Sequence, residues 1–517
     1  MALIVEHLES HHLLQGAAVA LLLVLVSSFY GAVISSFPYK NIPLIGKSQW
    51  ELSNSKAKQR FVTSAKELIA EGFSQGLKVF QVISNSNSTI ILHPSFVDEV
   101  KNNPDLSFDE ATKLTFFGTK IPGFEVFERV EPVQLDVINK RLTHALGQLV
   151  APLSKETSTV LQERLSKSDT WTPLNFATEI PYIVARLSTL AFLGARICRD
   201  EHWLNVSVNF TIDSFTGARD LKSWPSVLQP FVHWFLPSVQ GVRKYMRIAS
   251  TIVDQEIERR RLIREGRLPA ENPPRSHEDT LDWFHELAEG RPFHMTRAQI
   301  GLTLAAIHTT SNLLTNVMYD LAAHPEYMQL LRDEIQTVIN EDGGTLKKTS
   351  LTKMKKMDSV MKESQRMNPT GVALLNRVAM KEVSLSDGTR IPKGANLLVS
   401  THNLQDESIY SSPGVYDGLR FYRWRQSPGN EHRFQFVTTS ADHYAFGHGM
   451  HACPGRFFAA NEIKILLVHL LLRYDWMFED RTVRPPNFMH GMESICDPTV
   501  RMLFKSREPE LDLSKLE

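Results

Sequence analysis

The sequence predicts a large, mainly helical domain with small β-sheets, placed behind an N-terminal transmembrane helix. Long helical patterns fill most of the chain after residue 137, strand patterns are short, and residues 13–37 contain no Asp, Glu, Lys or Arg. No change in composition marks a second domain in the body. The 57 Lys and Arg residues balance 57 Asp and Glu residues, so the charge does not indicate a nucleic-acid partner.

The apolar run near the N-terminus divides the chain into four parts. Residues 1–12 are expected to be lumenal, 13–37 a transmembrane anchor, 38–50 a proline-containing hinge and 51–517 the catalytic body. About 25 residues at helical rise suffice for the ~30 Å hydrocarbon core. Lysines follow this run and none precedes it, which places the body in the cytosol, with the endoplasmic reticulum as the expected membrane. A cleaved signal peptide is the alternative, but it needs a basic start and a shorter apolar run.

The first half of the body predicts one hairpin followed by helices. Residues 77–92 read as two strands joined by a polar turn, and 104–132 read as an aromatic-rich loop that is either core or pocket lining. Helical patterns then cover 137–165, 177–193, 200–216, 227–242 and 244–263.

The longest helix of the body is predicted at 296–324. Thr296 and Gln299 have the spacing of a capping box, and Pro325 ends the pattern. Its middle, residues 305–310, reads Ala-Ala-Ile-His-Thr-Thr, where small residues leave room on one face and hydroxyls add polar groups. Helix packing with internally satisfied threonines explains the same pattern equally well.

The second half contains short elements and two separated charged motifs. Glu363 and Arg366 lie three apart in a predicted helix, 358–367, where a surface ion pair is the ordinary explanation. A hairpin at 383–391 and a strand at 397–401 follow. Residues 402–445 show little periodicity, although they include Arg420 and Phe421.

The only cysteine in a glycine-punctuated loop is Cys453, within residues 446–455. The other two, Cys198 and Cys496, are far away in sequence, which predicts buried small residues and no disulfide framework, as in a reducing compartment. Cys453 comes just before a helix predicted at 455–472, whose free N–H groups favour a thiolate. A haem iron is one ligand for such a group. Zinc is the alternative, because three histidines (His443, His448 and His451) lie close by in sequence.

Together these motifs resemble the cytochrome P450 superfamily. Phe446, Gly449, Cys453 and Gly455 match its haem signature, and Glu363-x-x-Arg366 stands 90 positions before the cysteine. Arg420-Phe421 lies between them, and residues 305–310 lie where the family has its oxygen-binding helix. The resemblance implies a P450 fold, a haem with Cys453 as axial thiolate, and a buried Glu363–Arg366–Arg420 triad that shapes the haem loop. It also implies electrons from NADPH through a separate reductase.

Two positions depart from the family pattern. His451 stands where an arginine usually pairs with a haem propionate, which makes Arg377 the candidate replacement, with Lys140 or Arg141 as further options. His308 stands where an acidic residue usually precedes Thr309. Either His308 relays protons or it bonds within the helix, and Thr309 then carries more of the proton delivery.

The expected activity is a membrane-anchored haem-thiolate monooxygenase that uses O2. Residues 305–310 are similar to the helix of fungal secondary-metabolism members, including ent-kaurene oxidase-like and indole-diterpene-type enzymes, which favours a lipophilic terpenoid-like substrate. The expected pocket residues are Phe116, Phe117, Ala305, Ala306, Thr309, Val372, Ala373, Leu374, Met492 and Ile495. A reductase-independent peroxide-rearranging enzyme and a haem sensor are the alternatives. Arg423, Arg425 and Arg433 form either the reductase-docking face or an ordinary solvated surface.

Overall fold

The computed structural model describes residues 15–16, 18–19, 21–22, 25–26, 37–85, 88–165, 167–270, 277–480 and 483–516. The predicted lumenal segment, 1–12, and most of the predicted anchor, 13–37, lie outside these residues. Within them, one helix, Phe176–Leu193, has the length and hydropathy to cross a membrane, but 72% of its residues are buried inside the protein. It is a core helix by its packing.

Helices are the main secondary structure of the described chain. In order, they are α1 Ser55–Ser74, α2 Val97–Val100, α3 Phe108–Phe116, α4 Pro132–Asp136, α5 Thr143–Arg164, α6 Phe176–Leu193, α7 Glu201–Ser223, α8 Gln229–Val232, α9 Pro237–Arg264, α10 Thr280–Ala288, α11 Met295–Ala323, α12 Glu326–Glu341, α13 Lys348–Lys353, α14 Lys355–Met367, α15 Arg420–Arg425 and α16 Arg456–Arg473. A π-helical segment, Val137–Leu142, leads into α5.

The strands are short and form one larger and three small sheets. They are β1 Leu44–Ile45, β2 Val79–Ile83, β3 Ser88–Leu92, β4 Leu106–Ser107, β5 Thr172–Leu174, β6 Ala373–Ala379, β7 Val383–Ser384, β8 Arg390–Ile391, β9 Asn396–Ser400, β10 Tyr474–Phe478, β11 Phe488–His490, β12 Glu493–Ile495 and β13 Met502–Ser506. The six-stranded sheet has the order β1-β2-β3-β9-β6-β4, and the others are β10-β13-β5, β11-β12 and β7-β8. The predicted mainly helical body with small sheets is confirmed.

The 29-residue helix α11 organises the core. It packs against α6, α7 and α14, and most of its apolar side chains are buried. Helix α16, which follows Cys453, is apolar on nearly all sides and lies against α5. A helix that is apolar all round is stable only when neighbours surround it. The cysteine loop is therefore attached to one of the most enclosed helices of the body.

Three sequence predictions about elements were wrong. Residues 108–116 form helix α3 rather than a loop, because Ser107 caps it by accepting a hydrogen bond from the Glu110 N–H at 3.1 Å. The predicted break near 243 does not exist, since α9 runs unbroken from Pro237 at its first turn. Helix α11 begins after His294, and Gln299 bonds to Thr280 at 2.8 Å instead of closing a capping box.

Candidate active site

The cysteine loop, residues 446–455, closes on itself and on a segment from the N-terminal part of the body. The Cys453 N–H donates to the Phe446 carbonyl at 2.7 Å, and the Met450 N–H donates to Asn102 Oδ1 at 2.8 Å. Gly449 has a φ of +71°, and a Cβ there would lie 2.4 Å from the same Asn102 oxygen. Glycine is required because the loop turns left-handed directly against another part of the chain.

The Cys453 thiol lies at the start of α16. Burial raises its pKa, while the N–H groups of Gly455 and Arg456 and the Arg456 charge act in the opposite direction. A backbone N–H pair aimed at sulfur is the environment that holds a metal-bound thiolate. In the segments that the structure covers, no three His, Cys, Asp or Glu side chains are grouped to hold a metal ion, and His448 instead bonds Thr439 at 3.0 Å. The zinc alternative therefore lacks a ligand set.

Arg377 presents an unsatisfied buried cation beside this loop. Its side chain is 2% exposed, and Nε and Nη2 have no hydrogen-bond partner among the residues that the structure describes. Nη1 donates to the Asn376 carbonyl at 2.8 Å, and burial lowers the pKa of the guanidinium to about 10. Strand β6 has a register shift between Leu374 and Arg377, with Leu375 at a φ of +52°, so a bulge directs Arg377. An unpaired buried guanidinium fits an anionic ligand such as a haem propionate.

His451 and the two alternative cations are less suited to that role. His451 is exposed, its ring centroid is 5.6 Å from that of Phe108, and burial and the nearby Arg377 lower its pKa. It is therefore mostly neutral near pH 7. Lys140 pairs with Asp136 at 2.9 Å, and Arg141 pairs with Glu286.

The Glu363, Arg366 and Arg420 side chains meet in a buried ion cluster. Arg366 Nε and Nη2 are 2.9 Å and 2.7 Å from the two Glu363 oxygens, and Arg420 Nε is 3.2 Å from both. The remaining donors are used as well, because Arg366 bonds the Leu404 carbonyl and Arg420 bonds the Ser411 carbonyl. The cluster ties α14 and α15 to the irregular segment that leads into the cysteine loop.

The middle of α11 is open where the rest of the helix is covered. Ala305 and Thr309, one helical turn apart, are exposed although they lie midway along this core helix. Thr309 Oγ1 donates to the Ala305 carbonyl at 2.8 Å. His308 instead reaches α7, where its Nε2 is 2.9 Å from the Val208 carbonyl oxygen. Its bond is thus to a neighbouring helix, which neither of the two sequence-based interpretations of His308 included.

The other predicted pocket residues are only partly brought together. Phe116 stacks on Phe127, with ring centroids 4.2 Å apart, and meets Phe215 of α7 edge-on at 4.9 Å. Phe117 follows it in a left-handed turn, with a φ of +63°.

The 372–374 segment packs against the core of the six-stranded sheet. The Val372 N–H donates to the Met492 carbonyl at 3.0 Å, which joins two of the predicted segments. Ala373 is 4% exposed and packs in the core of the six-stranded sheet, while Leu374 lies against another part of that core. Ile495 is 43% exposed.

One of the predicted docking arginines is not on the surface. Arg425 is buried and its Nη1 lies 3.1 Å from Asp358 Oδ2, so its charge is used inside the protein. Arg423 and Arg433 are exposed. Sequence reasoning also missed Asn102 and Phe215. The family motifs do not include Asn102, and Phe215 lies inside the predicted helix 200–216, where no local pattern indicates its contact with Phe116.

Comparison with known proteins agrees with this arrangement. A family model described as Cytochrome P450 matches residues 63–504. The cytochrome P450 monooxygenase calE of Penicillium decumbens is 37% identical over 98% of both chains. The monooxygenase ntnM of Nectria sp is 37% identical over 95% of this chain and 93% of that protein. Retinoic acid-bound cyanobacterial CYP120A1 shares the fold, with a TM-score of 0.65 at 14% identity over 90% of this chain and 99% of that chain.

The predicted site residues fall within the range that the family model matches. Cys453, Arg377 and the Glu363–Arg366–Arg420 cluster all lie within the matched range. Sequence identity of more than a third along nearly the whole chain extends beyond the motifs to the complete catalytic body. On these grounds the chain belongs to the cytochrome P450 family and is a monooxygenase of that family.

Proposed function

We propose that this protein is a membrane-anchored haem-thiolate monooxygenase that oxidises a lipophilic secondary metabolite of terpenoid, meroterpenoid or indole-diterpene-like class. The observation that carries the proposal is that Cys453, held at a helix start by backbone donors, lies in the same loop that Arg377 borders, and that Arg377 Nε and Nη2 have no partner among the described residues. Relatives from fungi support an enzyme of fungal metabolism. The similarity of residues 305–310 to secondary-metabolism enzymes supports the substrate class.

Several residues of the chain would hold the cofactor together. Cys453 Sγ would ligate the haem iron, and the N–H groups of Gly455 and Arg456 would keep it a thiolate. Arg377 would pair with a propionate. Phe446, which meets Phe436 edge-on at 5.1 Å, would pack beside the ring. When bound, the haem supplies the activation of dioxygen for insertion of one oxygen atom into a C–H bond.

The open segment of α11 would face the substrate. Ala305 and Ala306 leave space there. The Thr309 hydroxyl donates its only proton to the Ala305 carbonyl, so its oxygen lone pairs stay free to accept a hydrogen bond, and the proton would be passed on when the hydroxyl rotates away from that carbonyl. Phe116 and Phe215 form an aromatic wall. Residues 13–37 would anchor the enzyme in the endoplasmic reticulum membrane with the body in the cytosol. A separate NADPH-dependent reductase would dock near Arg423 and Arg433.

Two measurements on the purified protein test the proposal. The reduced protein should give, with carbon monoxide, the strongly red-shifted Soret band of a thiolate-ligated haem. A band at the position typical of imidazole ligation, or none, would refute it. Reconstituted with a fungal reductase, the enzyme should consume NADPH faster when a member of a terpenoid panel is added and release a product one oxygen heavier. Thr309→Ala should keep the consumption but lose most of the product.

A further inference from the structure

Helix α7 carries a pair of cations on the same face as its aromatic contact with the pocket. Phe215, Arg219 and Lys222 are four and three positions apart, so they lie along one side of the helix. Phe215 meets Phe116 edge-on, which directs this side toward the predicted substrate space. The Arg219 and Lys222 side chains are partly buried. These are unusual residues for the wall of an apolar cavity.

Lys222 lacks a close partner. Among the residues that the structure describes, its ammonium donates no hydrogen bond and has no carboxylate within ion-pair distance. Burial lowers its pKa to about 8, and only Glu493 acts in the opposite direction. Arg219 uses its Nε for the Phe215 carbonyl at 3.3 Å. A desolvated ammonium without a partner is unfavourable unless a ligand pairs with it.

The β11–β12 hairpin faces this pair of cations and contributes a second unpartnered donor. His490 Nε2 is buried and has no hydrogen-bond partner in the described part of the chain, and burial together with the nearby Arg219 lowers the pKa of the ring. Glu493 lies near both His490 and Lys222. The same hairpin is joined to Val372, one of the predicted pocket residues, because the Met492 carbonyl accepts a hydrogen bond from the Val372 N–H.

The charges of this cluster favour an anion. Arg219 and Lys222 carry two positive charges and Glu493 one negative charge, while the lowered pKa of His490 leaves its ring mostly neutral at pH 7. The cluster thus has a net charge of one positive unit, and its side chains are partly removed from water. A carboxylate has two acceptor oxygens and can accept from an ammonium and a guanidinium together. A neutral hydroxyl or ketone would leave the excess charge unpaired.

We propose that Lys222, Arg219 and His490 form an anchoring site for the carboxylate of a lipophilic acid substrate, so that the enzyme oxidises a carbon remote from that carboxylate. This inference rests on the proposed function and narrows its substrate to terpenoid acids. The apolar body of the acid extends from the cluster past Phe116 and Phe215 toward the open segment of α11. Glu493 limits the affinity for the acid, because it competes for the same cations.

The test compares acids with their methyl esters. Binding of abietic acid and methyl abietate, and of palmitic acid and methyl palmitate, is measured by calorimetry on holoprotein that has passed the carbon monoxide assay. We expect at least one acid to bind about tenfold or more tightly than its ester, the scale of one charge-assisted hydrogen bond. Equal affinity of acid and ester in both pairs, or binding of neither, overturns the inference while the thiolate spectrum keeps the proposed function intact.

Variants then assign the effect to the cluster. Lys222→Met should abolish the preference for the acid and leave the ester affinity unchanged, whereas Lys393→Met, at an exposed turn lysine, should alter neither. Glu493→Gln should strengthen acid binding several-fold, because a competing charge is removed. This gain does not depend on whether Lys222→Met folds. An unchanged or weaker affinity of Glu493→Gln for the acid contradicts the assignment.

Discussion

The imidazole of His308 is bonded to the Val208 carbonyl, with Nε2 2.9 Å from the oxygen. Burial lowers the pKa of His308, so the ring is neutral near pH 7 and Nε2 carries the hydrogen that it donates. The bond joins α11 to α7 one residue before Thr309. From this bond we infer that His308 is a positioning residue for the open segment of α11.

Substitution of His308 separates this role from proton relay. His308→Gln keeps an N–H donor and should retain the ratio of product to NADPH consumed. His308→Phe removes the donor and leaves the Val208 carbonyl with one bond fewer, which should lower stability by about 1 kcal/mol. Chemical unfolding and coupling assays check both. If His308→Gln loses product as strongly as Thr309→Ala does, His308 moves protons after all.

Cys453→Ser tests the proposed ligand. Serine keeps the size of the side chain and the backbone bond to the Phe446 carbonyl, so the fold should persist. The hydroxyl is a poor iron ligand at neutral pH, so the red-shifted carbon monoxide band should vanish. Cys198→Ser, at a buried cysteine far along the chain, is the matched control and should keep the band. A normal spectrum from Cys453→Ser would exclude this ligand.

Arg377→Met should have opposite effects on the apo and holo forms. In the haem-free protein it removes a buried cation whose Nε and Nη2 are unsatisfied among the described residues, which should raise the free energy of unfolding by about 1 kcal/mol or more. With haem it removes the proposed propionate partner and should speed haem loss about tenfold. Transfer of haem to apomyoglobin measures the rate. Lys140→Met is the comparison, since that lysine pairs with Asp136 at the surface. Equal haem loss from the two variants would speak against Arg377.

Glu363→Gln should be among the most destabilising single changes in the body. It leaves Arg366 and Arg420 buried, at 0% and 4% exposure, without their shared carboxylate. Removing one partner of a buried ion pair lowers stability by roughly 3–5 kcal/mol. Glu258→Gln, which breaks an exposed ion pair with Arg261, should change little. Denaturant unfolding followed by circular dichroism provides the comparison, and similar effects of both changes would count against the cluster.

The buried Glu462 should make the stability of the protein depend on pH. Its carboxyl is buried in α16, one oxygen accepts from the Ser188 hydroxyl at 2.8 Å, and burial raises its pKa to about 8. The unfolded carboxyl loses its proton near pH 4.5, so the native state binds the extra proton between these values. The contribution of Glu462 to the free energy of unfolding is thus complete below about pH 4.5. It falls by on the order of 1 kcal/mol per pH unit as the pH rises to about 8.

Glu462→Gln should remove this loss of stability at rising pH, because glutamine does not ionise. Relative to the parent protein, the variant should gain stability as the pH rises from 5 to 8, when unfolding is measured in denaturant at each pH. Glu508→Gln, at an exposed glutamate, should follow the parent at every pH. A variant whose stability parallels the parent from pH 5 to 8 would show that Glu462 is already ionised in the native state.

Sequence patterns predicted what depends on local spacing. Glu363 and Arg366 share a helical face, and the run after Cys453 has continuous helical periodicity, so both elements were placed within a few residues. Helix α3 also had a local signal, the Ser107-x-x-Glu110 cap, which the aromatic character of the region obscured. The general fold therefore followed from periodicity and capping.

Long-range pairing accounts for the site features that the sequence did not predict. His308 finds its acceptor 100 positions away, and the burial of Arg425 depends on Asp358, 67 positions earlier. The bulge that directs Arg377 arises from the register of β6 against β9. Such contacts depend on how separate elements meet, which no local pattern records.

The order of the six-stranded sheet bears on how this protein is made. Strand β3 pairs with β9 through Leu92 and Val399, on the order of 300 positions apart, and the cysteine loop also needs Asn102. A ribosome adds roughly 5–20 residues per second, so one edge of β3 waits about 15–60 s for its partner. During that interval a buried, apolar edge is available to other chains. Heterologous production is therefore expected to improve with added chaperones, which cover this edge until β9 is made, and haem can be captured only when synthesis is almost complete.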